Sequence, residues 1–474
     1  RRQRQMCIRD STEALQGKMA GVQITTTEGS PDAQMSIRVR GGGSITQSNE
    51  PLFIVDGFPV ESISDIPPTD IESIDVLKDA SSTAIYGARG ANGVIIVTTK
   101  SGKEGKVSVS YNAYYAWKKV AKTLDVLSAS DYTKWQYELA QLTNKNDDYI
   151  KYFGNYQDLD MYDNVATNDW QDLTFGRTGH SFNHNLSING GSDKFKYSFS
   201  YSHIDDKAIM QMSDYARDNL NLKLNHKPLK NVSLDFSARF SKTKINGGGS
   251  NDANSSLNTD KRLKYSLLYT PYPVPGISDA LNADEEDANS LLINPLISLR
   301  DNDTRKERIN YNLAGSITWE IIKDLKLKAE VGYDDYRNNA DRYYGVTTYY
   351  VRNNVDDEDK SKPAISFTRG TRTAFRSTNT LSYDFKKFFK NNKNHLNLLA
   401  GQEYIVTRER ELRNVVHGFP TEYTADDCIN YSTKGNPYEV TNYGYPDDVL
   451  FSFFGRANYD LSLIHISEPT RLRR

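Results

Sequence analysis

From Val107 almost to Asp460 the side chains repeat with a period of two, and that repeat limits what the chain can fold into. Val107, Val109, Tyr111, Ala113, Tyr115 and Trp117 share one side, with Ser108, Ser110 and Asn112 on the other. Leu220, Leu222 and Leu224 oppose Asn219, Asn221, Lys223 and Asn225. Val232, Leu234, Phe236, Ala238 and Phe240 oppose Ser233, Asp235, Ser237, Arg239 and Ser241. Ile309, Tyr311, Leu313, Ile317 and Trp319 oppose Asn310, Asn312, Ser316, Thr318 and Glu320. A strand sends alternate side chains to opposite faces, so each segment reads as a strand with one apolar and one polar face. Ten such strands are expected, starting near Val107, Ser181, Lys194, Asp214, Asn231, Lys306, Leu325, Thr371, Asn394 and Leu450.

Their connections alternate in length. Short turns fall at Gly190–Asp193, Lys227–Lys230, Ile321–Asp324 and Lys386–Lys393. Long ones span Lys118–Gly179, Asp205–Ser213, Lys242–Arg305, Asp335–Gly370 and Thr407–Val449. Short turns on one rim and long loops on the other is the pattern of an outer-membrane barrel. A soluble sandwich would mix connection lengths without such parity. Mean hydropathy is −0.67, and no apolar run approaches the ~20 residues of a membrane helix. Low hydropathy does not exclude a barrel, whose strands hide their lipid face in alternation, and 31 tyrosines suit the aromatic girdles of one. The first long loop carries a predicted helix over Ser130–Leu142, with Ser130 or Asp131 as its cap.

The two ends stand apart. The codons ATG TGT ATA AGA GAC AG give Met6-Cys7-Ile8-Arg9-Asp10, and their reverse complement gives Leu461-Ser462-Leu463-Ile464-His465. One inverted element explains both, and it resembles the transposon-end adapter of sequencing libraries. Residues 1–10 and 461–474 are therefore expected to be non-native tails, and what lies between an internal fragment. The ends carry seven of the 59 basic and two of the 61 acidic residues, so the remainder has a net charge of −7. A nucleic-acid partner is disfavoured, because phosphate neutralisation needs a concentrated basic face. Cys428 is then the one cysteine left, which excludes an internal disulfide.

Ahead of the strands lies a different kind of sequence. Val22–Thr26, Ile37–Arg40, Phe53–Asp56 and Gly93–Thr99 are short β-branched runs, broken by glycine clusters and by a helical turn around Ala80–Tyr86. A short amphipathic helix is expected over Ser11–Gly21. This is a small α+β unit of residues 11–102, closed by the polar linker Lys100–Lys106 and followed by the strands of residues 103–460. Four stretches of it carry a resemblance. They are Ala14-Leu15-Gln16-Gly17-Lys18-Met19-Ala20-Gly21-Val22, Ile37-Arg38-Val39-Arg40-Gly41-Gly42-Gly43-Ser44, Pro51 to Pro59, and Ile71 to Lys100. In this order they resemble the plug domain of TonB-dependent outer-membrane transporters of the SusC/RagA-like branch.

The resemblance implies an α+β plug seated in an antiparallel transmembrane β-barrel of roughly 22 strands, of which ten would be an incomplete part. It implies the plug motif Arg38, Arg40, Gly41, Gly42, Gly43, Asp56, Gly57, Lys78, Asp79, Tyr86, Gly87, Arg89, Gly90, Asn92 and Gly93. Arg40 and Lys78 align with basic positions that pair with barrel-wall carboxylates in relatives; the alternative is that both face solvent. It further implies active import of oligosaccharides, or of peptides, across the outer membrane of a Gram-negative bacterium. The implied partners are TonB, whose contact segment would precede residue 11, and a SusD-like surface lipoprotein acting as a lid.

No catalytic set, cofactor or metal site is expected. Gly41-Gly42-Gly43-Ser44 and Gly87–Gly93 lack the Lys-Ser/Thr that would open a phosphate-binding helix. His180 and His184 sit on one strand without converging, and the acidic runs Asp284–Asp287 and Asp356–Asp359 read as solvated loops. Long loops rich in Tyr, Asn and Asp, such as Asp341–Tyr350 and Tyr423–Tyr445, suit sugar or peptide contacts. Two rivals stay open: a surface receptor or adhesin without transport, and a secreted soluble β-sandwich lectin or glycan-binding enzyme, whose apolar faces would pack on each other.

Overall fold

The computed structural model describes residues 22–26, 35–39, 49–60, 62–63, 66–78, 84–247, 262–274, 293–352, 358–385, 394–438 and 440–461. The expected helix Ser11–Gly21, both terminal tails beyond Leu461 and before Val22, and the Gly41–Gly43 turn lie outside those residues. The N-terminal unit pairs β1 (Val22–Thr26) antiparallel with β2 (Met35–Val39). A second sheet runs β4–β3–β6–β5, from β3 (Leu52–Val55), β4 (Phe58–Val60), β5 (Ile71–Leu77) and β6 (Val94–Thr99). β3 lies parallel to β6, which is buried on both faces and correspondingly reads as a run of β-branched residues. Ile24, Ile37, Phe53, Val55, Ile63, Ile66, Ile95 and Val97 form the core between the sheets. The helical turn expected near Ala80–Tyr86 is a 3-10 segment at Ala84–Gly90, broken at Gly87 where φ is 58°; residues 79–83 are not among those described.

The remainder is one antiparallel sheet of up-and-down strands. In order they are β7 (Gly105–Lys118), β8 (Gly179–Gly191), β9 (Phe195–Lys207), β10 (Asp214–Leu229), β11 (Val232–Asn246), β12 (Thr304–Ile322), β13 (Leu325–Tyr344), β14 (Ala364–Asp384) and β15 (Asn394–His417). β18 (Asp448–Leu461) pairs β15 along its lower part, while the short β16 (Asn436–Pro437) and β17 (Thr441–Gly444) pair its upper part. The ten long strands are those read from the sequence. Among the described residues β7 and β18 each keep one edge without a partner strand. No described helix is long and apolar enough to cross a membrane, which says nothing about strands.

The predicted faces also hold. Val109, Trp117, Leu313, Ile317 and Phe453 are exposed on the outward side, at 64%, 71%, 46%, 52% and 75%. An apolar face of that extent has no place in water and a natural one in hydrocarbon. Among the described residues no second sheet packs against it, which rules out the packed apolar faces of a soluble sandwich.

Four strand ends run further than expected. β13 continues through Asp335–Tyr344, β14 begins at Ala364, β15 continues to His417 and β11 to Asn246. Outward positions there carry charges in ion pairs: Lys242 with Glu307 at 3.0 Å, Arg337 with Asp335 at 3.0 Å, and Arg369 with Asp341 at 2.6 Å. Both faces are polar at this height, so alternation fades while hydrogen-bond pairing goes on. Higher still, the helix Ala425–Asn430 covers the outward side of these strands, with Phe419 and Cys428 packed on Tyr343, Ile365 and Val416. The wall therefore rises well clear of the lipid along β12 to β15.

The predicted loop helix spans Ala129–Thr143. Its cap is Ser128 rather than Ser130 or Asp131. Ser128 Oγ accepts from the Asp131 N–H at 3.1 Å and donates to the Asp131 carboxylate at 2.8 Å. Ser130 is instead buried inside the first turn. Ser128→Ala is expected to cost about 1 kcal/mol locally, read as faster amide exchange at residues 129–132 with no change in the plug.

Candidate functional site

The site is the seam between the small unit, which occupies the concave side of the sheet, and the strands around it. Asp56 and Gly57 form the two-residue turn between β3 and β4, both with positive φ, 51° and 90°. That is the geometry a tight hairpin takes, and Asp-Gly is a sequence that tolerates it. The turn aims the Asp56 carboxylate at the wall. Oδ1 accepts from Thr99 N–H at 2.9 Å and from Lys223 Nζ at 2.7 Å, and Oδ2 accepts from Thr99 Oγ1 at 2.7 Å. Lys223 Nζ also donates to the Thr99 carbonyl at 2.8 Å. Both side chains of the pair are nearly enclosed, 11% and 12% exposed. Burial opposes the Asp56 charge, but the Lys223 ammonium and its hydrogen bond, the Thr99 N–H and the nearby Arg239 charge outweigh it, and the carboxyl is held below its ordinary range.

Asp70 is a second anchor of opposite character. It is 5% exposed and accepts from Ser200 Oγ at 2.7 Å, while neighbouring Thr69 accepts from Asn185 at 2.7 Å. Burial dominates here; the hydrogen bond from Ser200 and the Lys100 charge do not compensate, and the Asp70 carboxyl is pushed up. A cavity of about 50 Å³ adjoins it, lined by Asn221, Arg239, Asn310 and Asn312 among others.

A third anchor faces β14 and β15. Arg89 Nη2 meets Glu403 Oε2 at 2.6 Å, and Arg376 Nε meets Glu403 Oε1 at 2.8 Å. Arg376 also donates from Nη1 to the Gly57 carbonyl and lies 5.2 Å from the centre of the Phe58 ring. Phe58 in turn sits over Gly332, where an added Cβ would come within 2.8 Å of its Cζ.

Of the motif residues singled out in the sequence, Asp56, Gly57 and Arg89 meet the wall. Lys78 is half-buried and joins no ion pair among the described residues, and Arg40 and Asp79 lie outside them. Arg38 is exposed. Gly87, Gly90 and Gly93 shape the turn before β6, with Gly93 at φ 91° packed on Val39 and its N–H bonded to the Gly90 carbonyl at 3.0 Å. Asn92 reaches the Glu50 carbonyl at 3.5 Å, and Tyr86 is half-buried. The wall partners Lys223, Arg376 and Glu403 carry no signal in the sequence that marks them as such. No group of His, Cys, Asp or Glu among the described residues could hold a metal ion.

Comparison with known proteins follows the same lines. The profile of the TonB-dependent receptor plug domain matches residues 2–94. The TonB-dependent receptor SusC of Bacteroides thetaiotaomicron is 39% identical over 218 residues, 44% of this chain and 20% of that protein. The TonB-dependent receptor P3 of Formosa agariphila is 29% identical across 94% of this chain and 43% of its own length. The RagAB peptide importer in its open-open state superposes with a TM-score of 0.69 at 25% identity, over 96% of this chain and 52% of that one. The chain thus spans less than half the length of the curated relatives it matches, and about half of the solved chain.

Proposed function

As this chain belongs to the SusC/RagA-like TonB-dependent transporters of the Gram-negative outer membrane, which are not enzymes, we propose that it is the plug and first ten wall strands of an importer of oligosaccharides or peptides. The observation that carries this is the plug held across a polar seam by separable contacts: the enclosed ion pair Asp56–Lys223, the more open pair Arg89–Glu403 and a few hydrogen bonds. Such contacts hold in place yet exchange readily for water once they open. Unpaired strand edges are not tolerated in lipid, so β7 and β18 would pair with further strands that complete the wall.

In the mechanism we favour, a SusD-like lipoprotein lid traps cargo over the external loops, and force from TonB then draws the plug from the wall. The bonds that must part are Asp56–Lys223, Arg89–Glu403 and Asp70–Ser200. The test is to tether the seam. Thr69→Cys and Asn185→Cys, joined by a cleavable thiol cross-linker in the full-length transporter, should reduce uptake of labelled malto-oligosaccharide and labelled hexapeptide to the level of cells lacking it. Reductant should restore whichever uptake the untethered protein supports. Undiminished uptake with the tether in place would rule out plug-gated import and favour a receptor that only binds.

A further inference from the structure

The parity that brings Lys223, Arg376 and Glu403 to the plug continues up each strand. Above the plug it puts Lys306, Arg308, Arg342, Arg372 and Arg413 on the inner face of β12 to β15, while Arg217 of β10, on the same face, is buried at 3% exposure. Among the described residues of these strands, the acids on that face and height are Asp334, Glu409 and Glu411, of which Asp334 approaches Arg372 at 4.0 Å. Acidic residues outnumber basic ones in the chain as a whole, so a basic inner wall is a local arrangement and not a reflection of composition. A concave surface with an excess of one sign, walled by low-dielectric protein, concentrates ions of the other sign.

Aromatic rings stand among these guanidinium groups. Arg342 lies 4.7 Å over the Tyr344 ring, and its buried Nε has no hydrogen-bond partner among the described residues. Tyr344 packs on Tyr350 at 4.4 Å, Tyr350 on His417 at 5.4 Å, and His417 on Tyr438 at 3.8 Å. Arg413 is close enough to Tyr350 for its charge to act on the phenol. Arg352, in the short helix Tyr349–Arg352, also has a buried Nε without a partner among the described residues. Tyr336, Tyr350 and Tyr438 keep part of their surface open.

Planar guanidinium forks match carboxylate and sulfate oxygens in pairs, and partly open tyrosine rings suit the flat faces of pyranose sugars. A peptide bound by strand addition would need an unpaired strand edge. β13 and β14 have both edges occupied, as does β15 against β14 on one side and β16, β17 and β18 on the other. We infer that this upper wall is an anion-selective vestibule, and that the cargo is an oligosaccharide bearing carboxylate or sulfate groups. The inference rests on the import reading above and narrows its substrate.

The test is titration calorimetry on the full-length transporter with three probes of equal length: a galacturonate hexamer, a malto-hexaose and a hexaglutamate peptide. Galacturonate is expected to bind about tenfold or more tighter than malto-hexaose, with affinity falling as salt rises. Arg342→Gln with Arg413→Gln should lower galacturonate affinity about tenfold and change malto-hexaose binding much less. The pair Arg342→Lys with Arg413→Lys, which keeps the charge, should recover part of the loss and exclude misfolding as its cause. Equal affinity for the two sugars, tightest binding by the peptide, or an unaffected Gln double variant would each overturn the inference. None of these results bears on plug-gated import, which stands or falls with the tethered seam.

Discussion

Asp56→Ala is expected to release the plug from β10, at a cost of about 3–5 kcal/mol in the plug–wall contact. The cost is large because Lys223 stays behind, enclosed and without its carboxylate, and because Thr99 loses an acceptor for both its N–H and its hydroxyl. Protease digestion of the full-length transporter in detergent micelles reads it directly: the plug should be cut far sooner in the variant, with the wall intact. Double replacement of Asp56 and Lys223 by an apolar pair should cost less than Asp56→Ala, since no enclosed charge is then left unpaired and only the Thr99 bonds are lost. Acid should imitate the variant. The folded carboxyl titrates below its ordinary value of 3.8, so the pair contributes in full above that value and the contribution is lost as pH falls below it. Asp70 responds the other way, since its raised folded value means that protonation favours the buried state. Low pH should therefore free the Asp56 side of the plug and leave the Asp70 side seated. Equal protease sensitivity of both sides at low pH would contradict this assignment.

Gly102→Ala should be nearly as damaging, for a steric reason. Gly102 is buried where the chain passes from β6 into β7, and an added Cβ would lie 2.6 Å from the main-chain oxygen and 2.8 Å from the carbonyl carbon of Tyr197. Main-chain atoms in the middle of a paired strand cannot step aside as a side chain can. About 3 kcal/mol of destabilisation is expected, at the upper end of overpacking costs, seen as a lower unfolding temperature in micelles. Ser101→Ala serves as the control and should leave that temperature unchanged.

How much of this was legible follows the physics of each part. The lower wall was readable because lipid on one side and water on the other impose an alternation that hydropathy displays residue by residue. Above the lipid that contrast vanishes. Asp335, Arg337, Asp341 and Arg369 face outward into polar surroundings, so residues 335–344 and 364–370 look like loop although they pair as strand. The Asp56-Gly57 turn was visible as a dipeptide with a conformational requirement. Its partner Lys223 was not, since a lysine in an Asn-rich inner face looks like any other channel-lining group, and 167 residues separate the two. Glu403 is 314 residues from Arg89. Helix caps failed by a smaller margin: Ser128 and Ser130 are equally plausible on paper, and packing of the first turn decides between them.

The strands of the wall differ in length, 13 residues in β8 and β9 against 21 and 24 in β14 and β15. The described turns at the opposite rim are short, so with a rise of about 3.3 Å per residue and a tilt near 45°, the paired wall stands roughly 20 Å taller on one flank than on the other. On the low flank the rim is carried by the helical loop between β7 and β8, and on the tall flank by hydrogen-bonded strand. A rim of loop can yield where a rim of paired strand cannot, which leaves the described mouth with one pliant side and one fixed side.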